Sequence, residues 1–288
     1  MVQLKEFQNT LKNLDKIFWP DEGYTKGDLM HYYSEIWPYI QPHLQGRPVS
    51  LVRYPEGITG NFFYQKDFPD PPPWVETTAI ANPERVIHYA MINNLETLIW
   101  SVNLGCIEVH PWLSTRYALE YPTYIIFDLD PMEPAVFSDT VQIALAVRAI
   151  LKELHLQSFP KISGATGIHI YLPIQSHYTY EQTSNFVKQI GTIIIKTFPT
   201  KATNERKVAN RAGKVYIDHL QNLRGKTIAS VYSVRPFPSA PISAPVYWDE
   251  LPDCHPSMFT IQTMLKRVQK VGDLFFQLLN LKQELPKI

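Results

Sequence analysis

The sequence predicts a mixed α+β protein, and three observations carry that prediction. Helical spacing of apolar residues recurs in four well-separated stretches. Between them lie short runs rich in β-branched and aromatic residues, several of them adjacent in the middle of the chain. The 288 residues are 45% hydrophobic and 19% charged, enough to bury a substantial core in one large domain or two intimate lobes.

The elements follow in order. Thr25 with Asp28 forms a capping-box pattern, and Leu29, Tyr33, Ile36, Trp37 and Ile40 continue it at helical spacing. Pro38 is expected to kink this helix and Pro42 to end it. Strands are predicted over 49–54, 86–89, 97–102, 107–110 and 123–130. A second helix is predicted over 138–154, with Val141, Ala144, Leu145 and Leu151 on one face, followed by a strand over 168–174. A third helix spans 181–198 and closes at Pro199, and strands over 215–220 and 227–234 come next. The fourth helix, 260–281, carries Met264, Val268, Val271, Phe275 and Leu278 and is expected to pack as a C-terminal lid. Residues 69–74 (PDPPPW) and 236–245 (PFPSAPISAP) read as stiff connectors that cannot occupy a central strand.

Composition removes several classes. Cys106 and Cys254 are too few for a disulfide framework or a four-cysteine zinc site. No apolar run approaches the ~18 residues of a membrane span, and the N-terminus lacks a signal-peptide core, so a reducing cytoplasmic location and no membrane partner are expected. The formal net charge is zero, but it is unevenly spread. Residues 196–235 hold nine basic and two acidic side chains, while the remainder holds 18 basic and 25 acidic. Such a local field can hold a polyanion or can be an ordinary solvated face.

The chemistry-bearing residues cluster around Tyr124-Ile125-Ile126-Phe127-Asp128-Leu129-Asp130-Pro131. This apolar run reads as a buried central strand on which Asp128 and Asp130 share a face, about 7 Å apart. The pair is either an exposed strand end before a proline turn or a site for a hard divalent cation. Asp218 ends another alternating strand and is one of two acids in the basic block, either a salt-bridge partner or a third carboxylate. Ser163-Gly164-Ala165-Thr166-Gly167-Ile168-His169 offers glycines that admit phosphates close to the backbone, though it lacks the Walker signature. It is equally a tight turn beside a structural histidine.

The order of these signals is more specific than any one of them. Asp-Leu-Asp-Pro, then Ser-Gly-x-x-Gly-x-His, then a strand ending in Asp218, then Ser-Val-Arg235-Pro resembles the archaeo-eukaryotic primase superfamily, and within it the polymerase domain of bacterial ligase D and its stand-alone relatives. Leu14-Asp15-Lys16-Ile17-Phe18-Trp19-Pro20, Arg53-Tyr54-Pro55, Val109-His110-Pro111-Trp112 and Arg211-Ala212-Gly213-Lys214 extend the resemblance over nearly the whole chain.

The resemblance implies a two-lobed α+β primase-polymerase fold with mixed and antiparallel sheets and flanking helices. It places the lobes at about 1–119, for binding DNA ends, and 120–288, for catalysis, with the active site in a cleft. It implies a template-dependent nucleotidyltransferase of bacterial non-homologous end joining that fills gaps, prefers ribonucleotides and uses two divalent ions, Mn²⁺ or Mg²⁺. Asp128, Asp130 and Asp218 are then the catalytic metal ligands. Ser163, Thr166, His169, Arg235, His110 and Arg53 face the incoming NTP or dNTP. Asn13, Lys16 and Lys26 take the 5′-phosphate of a gap, and Phe62, Phe63 and Arg211 meet template and primer. Thr166 stands where many relatives have lysine, which replaces a cation with a hydroxyl. Implied partners are DNA ends and gapped DNA, a Ku-like end binder and a separate ligase, with ligase and phosphoesterase activities expected from other chains near the nucleoid. Competing readings are a primase that starts RNA strands without a primer, a non-catalytic end-bridging protein, and a metal-dependent nuclease.

Overall fold

The computed structural model describes residues 11–287, so the N-terminal stretch read for a signal core lies largely outside it. In chain order the elements are β1 (Ile17–Trp19), β2 (Tyr24–Thr25), α1 (Lys26–Leu44), β3 (Pro48–Arg53), β4 (Phe63–Gln65), β5 (Thr77–Ala81), β6 (Val86–Met91), α2 (Leu95–Asn103) and β7 (Cys106–Pro111). There follow β8 (Tyr124–Pro131), α3 (Phe137–Glu153), β9 (Phe159–Ile162), β10 (Ile168–Pro173), α4 (Tyr180–Thr197), β11 (Ala202–Thr203), β12 (Val215–Asp218), β13 (Ala244–Pro245), α5 (Met264–Val271) and α6 (Phe276–Asn280).

The chain forms two compact units that interleave in sequence. One takes the chain up to Trp112 together with Thr227–Ile242 and Phe259–Gly272, and the other takes Leu113–Lys226, Ser243–Met258 and the chain from Asp273. The first boundary falls a few residues before the expected 119/120. The return of two later segments to the first unit departs from a simple halving.

In the first unit β3 is the organising strand. It pairs antiparallel with β7 over Val49 to Arg53, and on its other edge with β4 and β6 at opposite ends. The capping box at Thr25 is present: the Asp28 amide donates to Thr25 Oγ1 at 3.1 Å, and the Thr25 amide donates to Asp28 Oδ2 at 2.8 Å. Against the expected stop, α1 runs through both prolines to Leu44. Pro38 is exposed, so the bond it removes lies toward solvent, while Leu29, Tyr33, Ile36 and Ile40 are fully buried on the other side.

Residues 97–102, expected as a strand, form α2. Asn94 caps it by accepting the Thr97 amide at 2.8 Å, and Leu98 and Val102, four apart, are both fully buried. Residues 227–234 are not a regular strand either. Tyr232 sits at φ 65°, which breaks the alternation, and the segment is bound through Ser230 N to the Val109 carbonyl and through Ser233 Oγ, which accepts the Val109 amide.

The second unit is built on a six-stranded sheet in the order β11-β12-β8-β10-β9-β13, antiparallel except for the β11/β12 pair. β8 is central, as its apolar run requires. Ile125, Phe127 and Leu129 are fully buried on one face, where Gly191 of α4 closes on Ile217, the cross-strand partner of Leu129. β13, which ends in Pro245, lies at an edge, where a missing amide donor costs the sheet no ladder bond. The expected helix over 260–281 is broken at Gly272, whose φ of 72° with ψ of −164° is a conformation that favours glycine. Its second piece brings Phe275 against Tyr171 of β10, with ring centroids 5.2 Å apart. Among the described residues no helix is long and apolar enough to cross a membrane.

Candidate active site

The register of three strands builds the acidic face of the second unit. On β8, Asp128 stands directly between His169 of β10 and Asp218 of β12, and Asp130 pairs with Tyr216 two residues further on. Directly opposed side chains in an antiparallel pair share a face, with Cβ atoms about 4.5–5.5 Å apart. The three aspartates, 88 to 90 positions apart at the extremes, therefore meet on one face. His169 Nε2 lies 3.3 Å from Asp128 Oδ1, with the imidazole nearly buried. Lys161 of β9 continues the same row beyond His169, fully buried, with Nζ donating to Ser243 Oγ at 2.5 Å.

Asp218 sits where β12 ends. Its Oδ1 accepts the Leu220 amide at 2.9 Å and the Tyr216 hydroxyl at 3.1 Å, leaving the carboxylate anchored at one oxygen. Beyond it, the buried Asn222 side chain takes over the ladder, exchanging two hydrogen bonds with the Ile126 backbone of β8. The Tyr216 phenol is pushed up to about 12 by burial and by Asp218, so it remains a proton donor. The Arg211 guanidinium lies 3.4 Å over the Tyr216 ring and donates to the Glu205 and Arg206 carbonyls, which fixes a cation next to the carboxylate row.

The glycine loop leads into β10. Ser163 Oγ accepts the Ala165 and Gly167 amides at 3.1 and 3.0 Å, so the serine shapes the loop from within. Gly164 has φ 77°. A Cβ on Gly167 would overlap the Leu129 carbonyl oxygen and lie 2.6 Å from Asp130 Oδ1, so only glycine lets the loop lie against the carboxylate. Thr166 is exposed at the tip.

Among the described residues, no three His, Cys, Asp or Glu side chains are already drawn together as a metal cage. The donor set nonetheless fits a hard divalent ion. It offers carboxylate oxygens alone, and adjacent carboxylates on one face repel until a cation lies between them.

The first unit carries a second polar cluster. On β7, Glu108 and His110 share a face, and Glu108 Oε2 lies 2.7 Å from His110 Nε2. Arg235 Nε donates to the other oxygen, Oε1, at 2.8 Å. Burial alone would raise the Glu108 carboxyl; the hydrogen bonds and charges of His110 and Arg235 outweigh it and hold it at about 2. Tyr64 meets His110 edge-on at 6.0 Å, and Phe62 stacks on Tyr54 at 5.2 Å. Phe62, Phe63 and Tyr64 are each roughly half exposed on β4 and the residue before it, which excludes core packing for the first two.

A cavity of about 260 Å³ in the same unit is lined by Asn13, Lys16, Lys26, Arg53, Glu56 and Asn103, among others. The Lys16 ammonium is 2.6 Å from Glu56. Lys26 donates to the Asn103 carbonyl and Oδ1 at the C-terminus of α2, and burial, with Lys16 nearby, lowers its pKa. Arg53, expected among the nucleotide residues, lines this cavity; its Nε donates to the Leu104 carbonyl, and its guanidinium lies 5.0 Å from the Phe63 ring centroid. Burial lowers its pKa.

The structure thus gathers Asp128, Asp130, Asp218, His169, Ser163 and Arg211 in one unit and Asn13, Lys16, Lys26 and Arg53 around one cavity in the other. Sequence reasoning missed Glu108, Tyr64 and Lys161. The Glu-x-His alternation in Ile107-Glu108-Val109-His110 was a readable signal for Glu108, whereas nothing local marks Lys161.

Paired carboxylates on a central strand, beside a glycine loop and in register with a histidine, form a face whose donors suit a divalent ion and a phosphate-bearing ligand. Residues 25–275 match the LigD primase-polymerase domain, and the chain belongs to that family of DNA-directed nucleotidyltransferases. It is 34% identical over 277 residues to the bifunctional non-homologous end joining protein LigD of Bacillus subtilis, covering 95% of this chain and 44% of that protein. It is 32% identical over 267 residues to the multifunctional LigD of Mycolicibacterium smegmatis, covering 92% and 35%. The chain therefore spans less than half the length of these relatives. The polymerase domain of Mycobacterium tuberculosis ligase D, in complex with DNA, superposes with a TM-score of 0.87 at 28% identity, covering 96% of this chain and 98% of that one.

Proposed function

We propose that this chain extends primer 3′ ends on a DNA template at short gaps and broken ends in non-homologous end joining, preferring ribonucleotides. The row of His169, Asp128 and Asp218 across three strands, with Asp130 beside it, is the observation that carries the reading. A pure end-bridging protein gains nothing from clustered carboxylates beside an anionic ligand.

Asp128, Asp130 and Asp218 would hold two divalent ions, Mn²⁺ or Mg²⁺. Bound there, such ions lower the pKa of an attacking hydroxyl and neutralise phosphate charge. The primer 3′ hydroxyl passes its proton to solvent water, its oxygen forms a bond to the α-phosphorus of the nucleotide, the bond from that phosphorus to the β-phosphate bridge oxygen breaks, and pyrophosphate leaves with the electron pair. Asp218, anchored by Tyr216 and Leu220, keeps one oxygen directed by the protein. His169 steadies Asp128 and donates toward phosphate, while Ser163 holds the loop whose Thr166 tip contributes a hydroxyl. His110 and Arg235 supply cationic donors for the triphosphate. Phe62 and Phe63 offer π-faces to a base, and Arg211 supports the template or primer terminus. Asn13, Lys16 and Lys26, with Arg53, bind the 5′-phosphate across the gap. Filling a gap leaves a nick, so a ligase activity is what the product needs next, and a Ku-like end binder would deliver the ends.

Primer extension on a 5′-phosphorylated gap, with ribo- and deoxynucleotides under Mn²⁺ and Mg²⁺, tests this. Asp128→Ala should abolish extension and leave gap binding in place. Extension at the normal rate by that variant, or primers that shorten, would overturn the reading. Products on unprimed template would favour a primase.

A further inference from the structure

We propose that Glu108 is a positioning residue for the nucleotide triphosphate: one buried carboxylate that sets His110 and Arg235 as a paired clamp. The inference rests on the assignment of His110 and Arg235 to the triphosphate and adds a residue that assignment does not use.

Glu108 is the midpoint of a three-member chain. Its side chain is 6% exposed, His110 9% and Arg235 15%, so exposure increases from the anion to its cationic partners. Each carboxylate oxygen serves a different partner, Oε2 at 2.7 Å from His110 and Oε1 at 2.8 Å from Arg235. Since the carboxylate is ionised and can only accept, His110 Nε2 must carry the proton of that bond, which fixes the tautomer and the ring's orientation. Alternation along β7 sets Glu108 and His110 on one face. Arg235 reaches them from 127 residues away, on a segment closed by its own amide donating to the Pro241 carbonyl at 2.7 Å.

A purely structural ion pair needs one cation. Here one anion spaces two, and their combined charge exceeds its own whenever His110 is protonated, an arrangement that suits a polyanionic ligand. The neighbouring Tyr54 phenol is pushed up to about 12, first by burial and then by Glu108, so it brings no competing negative charge.

The test is Glu108→Gln, which keeps shape and removes charge, assayed on a 5′-phosphorylated gap with inorganic tripolyphosphate as a competitive inhibitor. The KM for nucleoside triphosphate and the Ki for tripolyphosphate should both rise on the order of tenfold, the scale of one charge-assisted hydrogen bond. The kcat should stay within about twofold, and affinity for gapped DNA should not change. The effect should be non-additive with Arg235→Ala, because the two act as a unit. If Arg235→Ala and His110→Ala raise KM and Ki but Glu108→Gln does not, the positioning role is refuted alone. If none of the three moves them, the triphosphate assignment itself falls. A uniform loss of kcat, gap affinity and thermal stability would mark Glu108 as merely structural. Should Glu108→Gln not fold, Glu108→Asp keeps the charge and withdraws it by one methylene; it should raise KM and Ki with kcat retained, and unchanged constants would refute the proposal.

Discussion

Replacing Gly167 with alanine tests how closely the glycine loop is fitted to the carboxylates. The added Cβ would lie 2.6 Å from Asp130 Oδ1, roughly 0.8 Å inside the 3.4 Å at which ordinary contact begins, and would overlap the Leu129 carbonyl as well. The carbonyl belongs to the central strand, held on both sides by β10 and β12, so it cannot retreat cheaply. Overpacking of this kind costs about 1–3 kcal/mol of stability. The freer partner is the Asp130 side chain, and displacing a reacting group by about 1 Å costs about 100-fold in rate. Gly167→Ala is therefore expected to lower kcat in gap extension about 100-fold, with urea unfolding showing a loss of about 1–3 kcal/mol. Binding to a 5′-phosphorylated gap should persist, since Lys16 and Lys26 lie in the other unit. Thr166→Ala, at the exposed neighbouring position, is the control and should keep its fold and stability. A Gly167→Ala enzyme with normal kcat and an unshifted urea midpoint would refute the fit.

Four further outcomes are expected. Lys16→Ala combined with Lys26→Ala should weaken gap binding and flatten its salt dependence by a slope of about 1 for each phosphate no longer held, read by fluorescence anisotropy across a salt series; equal affinity for gaps with and without the phosphate in the unmodified protein would count against the pocket. Glu108 is held at about 2 against an ordinary 4.5, so its contribution to stability is complete above pH 4.5 and is lost as pH falls toward 2. That is on the order of 3 kcal/mol, and the pH dependence of urea unfolding should be shallower in this window for Glu108→Gln than for the unmodified protein. Thr166→Lys adds a cation at the exposed loop tip and should lower the KM for nucleotide a few-fold, roughly the worth of one solvent-exposed charge contact, with no change in gap affinity. Asn222→Ala removes both bonds to the backbone of Ile126, itself fully buried; it should cost about 2–3 kcal/mol in urea unfolding, and a loss smaller than about 1 kcal/mol would show that the ladder is closed without it.

Where local chemistry decides the element, the sequence was legible. The Thr25–Asp28 box, the buried β8 run and the proline that follows α4 each act over a few residues, and each element stands within a few positions of its expected place. Where distant contacts decide, it was not. Residues 97–102, Thr-Leu-Ile-Trp-Ser-Val, carry β-branched and aromatic side chains that suit a strand; the Asn94 cap and the burial of Leu98 and Val102 on one helical face override that preference. Residues 227–234 alternate well enough, but Ser230 and Ser233 bind Val109 from more than a hundred residues away. The site divides in the same way. Motif order located the aspartates, but the placement of Arg53 depends on Leu104 and the cavity wall, which no spacing reveals.

Placement of the acids on β8 has an energetic logic. Asp128 faces Asp218 directly, and like charges so opposed destabilise a sheet pair. The sheet tolerates them because β8 is bonded to β10 over Tyr124 to Leu129 and to β12 over Asp128 to Pro131, because His169 lies against Asp128 from the third strand, and because Tyr216 and the Leu220 amide take up one oxygen of Asp218. The carboxylates are thus held close by backbone pairing rather than by mutual attraction, and a cation that enters meets a site whose main cost, bringing the charges together, has already been met by folding. Asp128→Asn should then have opposite effects on stability and on function. It relieves the repulsion and should leave urea unfolding unchanged or raise its midpoint, while extension falls by several orders of magnitude. A variant destabilised by more than about 1 kcal/mol would show instead that Asp128 serves the fold through His169, and that the row is a structural ion pair before it is a cation site.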